Sequence, residues 1–91
     1  MPSWIRPALH DLESQLSYIQ RENQDIVSRI AVQIKKATEA LDTFPHLGRP
    51  GVVEGTRELV FPHLPFVCVY RIRDDRIEIL RILHQRMQWP R

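Results

Sequence analysis

Ninety-one residues make one domain, because a chain of this length buries only about 60–65% of its unfolded surface and leaves no room for a second module. Hydrophobic residues at 43% and charged residues at 26% exclude intrinsic disorder, collagen-like repeats and low-complexity sequence, and no apolar run approaches the roughly 18–20 residues of a membrane span. The net charge of +2 is unevenly placed, with five Lys/Arg against six Asp/Glu in residues 1–45 and eight Arg against five Asp/Glu in residues 46–91, too weak an excess to require nucleic acid as a partner.

The chain opens without a charged-then-apolar leader, so a cytoplasmic protein is expected. Residues 3–6 are placed as a short first strand. From residue 7 to residue 21, Leu9, Leu12, Leu16 and Ile19 recur at the spacing of one helical face. Pro7 suits a first helical position, and Asp11 and Glu13 suit the positive end of the helix dipole. Residues 21–23 form a short link in which Asn23 caps a second helix, helped by Asp25. Ile26, Ile30, Ile34, Ala37, Leu41 and Phe44 keep a second apolar face until Pro45 stops it. Two amphipathic helices so closely linked fold back as an antiparallel hairpin.

Residues 45–51 hold two of the seven prolines and two of the three glycines and read as a rigid connector. The period then changes from helical to alternating. Strands are predicted over residues 56–61, 66–73 and 76–83, with a loop at residues 62–65 and a two-residue turn at Asp74-Asp75. The continuous apolar run of Val67, Cys68, Val69 and Tyr70 marks a central strand. The alternation of Arg76, Ile77, Glu78 and Ile79 places the last strand nearer an edge. The expected fold class is α+β: a helical hairpin laid on an antiparallel sheet of three to four strands.

Few residues offer chemistry. Cys68 lies inside the apolar run and reads as a buried, inert thiol; a single cysteine fits a reducing compartment. His10, His46, His63 and His84 are scattered over a helix, two loops and a strand end, so neither a metal nor another cofactor is expected. One cluster combines Arg71, Arg73, Arg81, His84, Gln85, Arg86 and Trp89. An imidazole for proton transfer beside an arginine for a pentavalent phosphate is the toolkit of a metal-independent ribonuclease. Composition by itself favours the plainer alternative, in which Arg81 pairs with Glu78 or Asp75 and His84 ends its strand.

The order of the motifs adds to this. Pro7-Ala8-Leu9-His10-Asp11-Leu12, Gly48-Arg49-Pro50-Gly51, Gly55-Thr56-Arg57-Glu58-Leu59-Val60, Val69-Tyr70-Arg71 and Ile79-Leu80-Arg81-Ile82-Leu83-His84, followed by Trp89-Pro90, span nearly the whole chain. In that order and spacing the sequence resembles the RelE/ParE superfamily of bacterial toxins. The resemblance implies a type II toxin–antitoxin toxin with a microbial-RNase-like fold. It also implies a cognate antitoxin whose acidic, partly disordered segment wraps the toxin, with operator DNA bound only through the antitoxin and no membrane partner.

Members divide by target, RelE-like ones cutting mRNA on the ribosome and ParE-like ones inhibiting DNA gyrase. RelE-like nucleases usually carry an arginine three residues before the central-strand tyrosine, where Val67 stands here, and are rich in lysine, of which this chain has two, Lys35 and Lys36. The tail Ile82-Leu83-His84-Gln85-Arg86-Met87 looks ParE-like. The gyrase reading is therefore favoured, with Arg81, His84, Gln85, Arg86 and Trp89 as target-binding candidates. The ribosome-dependent mRNA endoribonuclease is the alternative, with Tyr70, Arg81 and His84 as catalytic candidates. An inactive or purely structural interaction protein is the third reading. For the antitoxin, a groove between helix two and the strands is expected, contacted through Arg49, Arg57, Arg71 and Arg73, with Trp4 and Trp89 as the aromatic candidates and Phe44, Phe61 and Phe66 assigned to the core.

Overall fold

A computed structural model describes residues 1–87. The elements run β1 (Ser3–Trp4), α1 (Arg6–Glu22), α2 (Gln24–Thr43), β2 (Arg49–Pro50), β3 (Arg57–Val60), β4 (Phe66–Arg73) and β5 (Arg76–His84). The expected hairpin and sheet are both present, and the fold class is α+β. The sheet has five strands rather than three or four, ordered β1-β5-β4-β3-β2. It is mixed rather than antiparallel, because β1 runs parallel to β5 while the other three pairings are antiparallel. β4 is central, as its apolar run predicts. β5 lies nearer an edge, as its alternation predicts, with only the two-residue β1 outside it, paired at Glu78 and Ile79.

The helical hairpin turns on one residue. Asn23 is extended, its N–H donates to Ile19 O at 2.7 Å to close α1, and its side chain accepts from Asp25 N at 3.1 Å to open α2. α1 starts at Arg6, so Pro7 occupies the second helical position and Asp11 lies beyond the first turn.

The buried stripes differ from the apolar pattern at their ends. On α1, Ala8 is fully buried while Leu9 is exposed. On α2, Ile30, Ile34, Thr38 and Leu41 face the sheet. Thr38 is tolerated there because its hydroxyl donates back into the helix, 3.0 Å from both Ile34 O and Lys35 O. Ile26 and Phe44 face solvent. For Phe44 this corrects the core assignment: it is the C-cap of α2, with φ of −125° and ψ of 73°, and has left the helical geometry that carries the stripe. Phe61 and Phe66 are core residues as expected.

Beneath the helices, Phe66, Cys68 and Tyr70 of β4 and Ile77, Ile79 and Ile82 of β5 form the sheet side of the core. The register Val69↔Arg81 and Tyr70↔Ile79 leaves Leu80 unpaired on β4. This bulge shifts the alternation of β5, so that Ile77 and Ile79 before it and Ile82 after it all join the core. At the β4–β5 turn Asp74 and Asp75 have φ of 52° and 62°, the two left-handed residues of a type I′ hairpin.

Candidate functional site

Pro45 ends the helical run, and the chain must then turn from α2 into β2. Leu47 N donates to Phe44 O at 3.1 Å, and two side chains from the sheet fix the rest. The Tyr70 hydroxyl donates to Pro45 O at 2.7 Å and accepts from Gly48 N at 2.9 Å. Arg57 Nε donates to Gly48 O at 2.9 Å, and its Nη2 reaches His46 O at 3.4 Å. Glycine is required at 48 by space: a Cβ there would meet Tyr70 Cε1 at 2.7 Å and Glu58 O at 2.8 Å.

Beside this connector lies a groove of 460 Å³ between α2 and the β2–β3 edge, lined by Ala37, Ala40, Leu47, Arg49, Leu59 and Val60 among others. It is the groove that the sequence predicts. Gln33 Nε2 donates to Pro62 O at 2.5 Å and ties α2 to the loop that closes the far end. At the rim Arg49 pairs with Glu58 at 3.1 Å; the arginine side chain is 64% exposed, while its carboxylate partner is largely covered. A second apolar cavity of 380 Å³ lies on the other flank of α2 and holds Trp4 with Leu9, Leu12 and Ile34. Trp4 and Arg49 therefore belong to different surfaces.

The remaining arginines are distributed. Arg71 pairs with Glu78 across the β4–β5 ladder at 2.5 Å. Arg73 is exposed at the end of the hairpin, opposite Arg76. Arg81 reaches α1: its Nε donates to Asp11 Oδ2 at 2.7 Å and its Nη2 to Oδ1 at 3.0 Å, a two-pronged ion pair. Asp11 also accepts from Ile82 N at 3.0 Å. β1 pairs with β5 only at Glu78 and Ile79, so the carboxylate satisfies a strand N–H that β1 does not cover. The Asp11 hydrogen bond raises the pKa of Arg81 above the ordinary arginine value.

The nuclease candidates are thus engaged with separate partners: Tyr70 with the connector, Arg81 with α1, and His84 at the end of β5. The His84 ring meets Phe66 edge-on at 6.1 Å, and its Nδ1 accepts from Arg86 N at 3.1 Å. Gln85 and Arg86 follow as exposed turn residues. Trp89 lies outside the described residues. Among the described residues no cluster of His, Cys, Asp or Glu could hold a metal ion, and no helix is long and apolar enough to cross a membrane. The Cys68 thiol is buried, and burial pushes its pKa up to about 12.

The family described as the ParE toxin of the type II toxin-antitoxin system parDE matches residues 3–89. The chain belongs to the ParE toxin family. This ParE-family chain is 39% identical over 87 residues to Y4kP of Sinorhizobium fredii, covering 96% of this chain and 90% of that protein. It is 31% identical over 81 residues to toxin RelE2 of Caulobacter vibrioides, covering 89% of this chain and 90% of the relative. Among solved structures it matches a chain of the chromosomal ParDE system from P. aeruginosa with a TM-score of 0.81 at 27% identity, over 92% of this chain and 96% of the other. A chain of the YoeB–YefM complex from Staphylococcus aureus shares the fold, with a TM-score of 0.59 at 20% identity over 92% and 94% of the two chains. The RelE/ParE resemblance seen in the motifs is therefore confirmed across the chain, and the protein is a type II toxin of the ParE family.

Sequence reasoning missed Asp11 as the partner of Arg81, which it pairs instead with Glu78 or Asp75. On α1 Asp11 reads as a dipole partner, and nothing local signals an arginine 70 positions away.

Proposed function

We propose that this ParE-family toxin acts by binding DNA gyrase, without cutting RNA, and that a cognate antitoxin silences it. The observation that favours this reading over the nuclease is that the nuclease candidates make contacts within the protein. The Tyr70 hydroxyl is held by Pro45 and Gly48, the Arg81 guanidinium by Asp11, and the His84 Nδ1 by the backbone of Arg86. A general acid–base site needs its groups converging on one substrate position, and here Tyr70 and Arg81 are turned to two separate partners, the connector and α1. The target contacts are then Arg81, His84, Gln85 and Arg86 at and after the end of β5, together with Trp89, which is taken from the sequence alone. An antitoxin with an acidic, partly disordered segment takes the groove beside α2, with Arg49 and Arg57 next to it. Arg71 and Arg73, and Trp4 and Trp89, are the further contacts for a segment that wraps the toxin. Any operator DNA is reached through the antitoxin.

Expression without the product of the adjoining reading frame tests this reading, combined with a gyrase supercoiling assay and mapping of transcript ends in the same cells. Growth arrest with inhibited supercoiling and intact transcripts is expected. Mapped cleavage with gyrase unaffected would establish the mRNA endoribonuclease instead, and a harmless product would establish the structural interaction protein.

A further inference from the structure

Phe44 and Leu47 stand on the α2–β2 connector 61% and 56% exposed. Apolar side chains on a mobile loop would carry little meaning, but this loop is held at four points by Tyr70 and Arg57, with Gly48 seated where no Cβ fits. Leu47 lines the groove directly, together with Ala37, Ala40 and Val60. Phe44, the C-cap of α2, donates its N–H to Ala40 O at 2.9 Å and so stands one turn beyond that groove-lining residue. The two alanines keep the helix wall low, so that a partner backbone can come close. Positive charge lies on one side of the groove: Arg49 at its rim, 64% exposed though paired with Glu58, and Lys36 and Arg29 exposed on the adjoining quadrant of α2, four residues before Ala40 and Gln33 respectively. Its single lining carboxylate, Glu58, is covered by Arg49.

Resting on the antitoxin reading above, we infer that connector residues 44–48 form a preformed wall of this groove, whose Phe44 and Leu47 anchor an acidic amphipathic helix. Tyr70 is then a positioning residue for partner binding, because its hydroxyl sets the wall before the partner arrives. Preorganisation of this kind strengthens binding by removing the ordering cost from the association step. It also accounts for a fully buried tyrosine whose only polar atom is directed at two backbone groups of a surface loop.

The test uses the full chain and the protein encoded by the adjoining reading frame, with calorimetric titration well below the unfolding transition. Phe44→Ser and Leu47→Ser alter solvent-facing side chains and are expected to fold; each should weaken the complex by about thirtyfold, the size of a central interface anchor. Tyr70→Phe keeps the ring and loses the hydroxyl; it should weaken the complex by about tenfold, with faster hydrogen exchange at the Gly48 amide. Unchanged affinity for both serine variants, with wild-type binding intact, overturns the wall while leaving the antitoxin reading in place. A Tyr70→Phe protein that melts earlier yet binds as tightly assigns the hydroxyl a purely structural role and overturns the positioning claim. No complex with the wild-type chain overturns the antitoxin reading and this inference together.

Discussion

Asp11 on α1 and Arg81 on β5, 70 positions apart, are joined by hydrogen bonds of 2.7 and 3.0 Å, and the same carboxylate accepts the Ile82 N–H at 3.0 Å. One aspartate therefore docks the first helix on the last strand and completes the strand edge beyond β1. Asp11→Ala removes all three acceptor contacts and leaves a partly covered guanidinium without its carboxylate. It is expected to lower stability by about 2–3 kcal/mol. Asp11→Asn retains an acceptor for Ile82 N and should recover roughly half of that. Urea denaturation of the two variants checks both values. Arg81 is held charged from above its ordinary value, so its share of this stability is complete at every pH below that value and is lost only above it. The difference between wild type and Asp11→Asn should therefore show no Arg81-linked change between about pH 6 and 9.

Cys68 supplies a pH dependence with a defined window. Its thiol has an ordinary value of 9.0, pushed up to about 12 by burial. In the unfolded chain the thiol ionises at the lower value, so between these limits the unfolded state binds fewer protons than the folded one. Stability is then fully present below about pH 9 and falls as pH rises toward 12, by about 1.4 kcal/mol per unit for this one group. Cys68→Ala should reduce that slope above pH 9. Equal slopes for the two proteins between pH 9 and 10.5 would show that the thiol does not contribute. At pH 8 a thiol reagent should label wild type only as fast as the chain unfolds.

Gly48→Ala tests the tight approach of the connector to the sheet. The added Cβ would lie 2.7 Å from Tyr70 Cε1 and 2.8 Å from Glu58 O, with backbone on one side and a buried ring on the other. Neither can move freely, so a loss of about 1–3 kcal/mol is expected from thermal melts. Gly51→Ala meets chiefly the Thr56 hydroxyl, and pairing it with Thr56→Ala should relieve much of its own cost.

The β4–β5 turn offers the opposite sign. Asp75 holds a φ of 62°, a region that disfavours every residue with a Cβ. Asp75→Gly should stabilise the protein by about 0.5 kcal/mol, the relief of left-handed strain less the greater freedom of the unfolded chain. A fall in melting temperature would show that the carboxylate has a role in the turn beyond its backbone angle.

Much of this protein is legible from neighbouring residues. The two helices follow from apolar spacing, their sharp link from Asn23, the central strand from the run ending at Tyr70, and the hairpin from Asp74-Asp75. Each of these signals is local, and the physics behind it acts over a few residues. What lies at the ends of a stripe is not local. Leu9 and Phe44 continue a helical period in the sequence, and only the packed structure shows that they face water. The polar contacts behave the same way. Tyr70 reads as a catalytic candidate because its hydroxyl is chemically suited to that use, and Arg81 for its charge; the stacking of the hairpin on the sheet gives one to the connector and the other to Asp11. The sequence by itself determined the two helices, the three longer strands and the family they compose, though not the two-residue strand β2 inside the connector. The tertiary structure alone decided where each reactive group is spent, because a hydrogen-bond partner 25 or 70 positions away leaves no periodic trace in the chain.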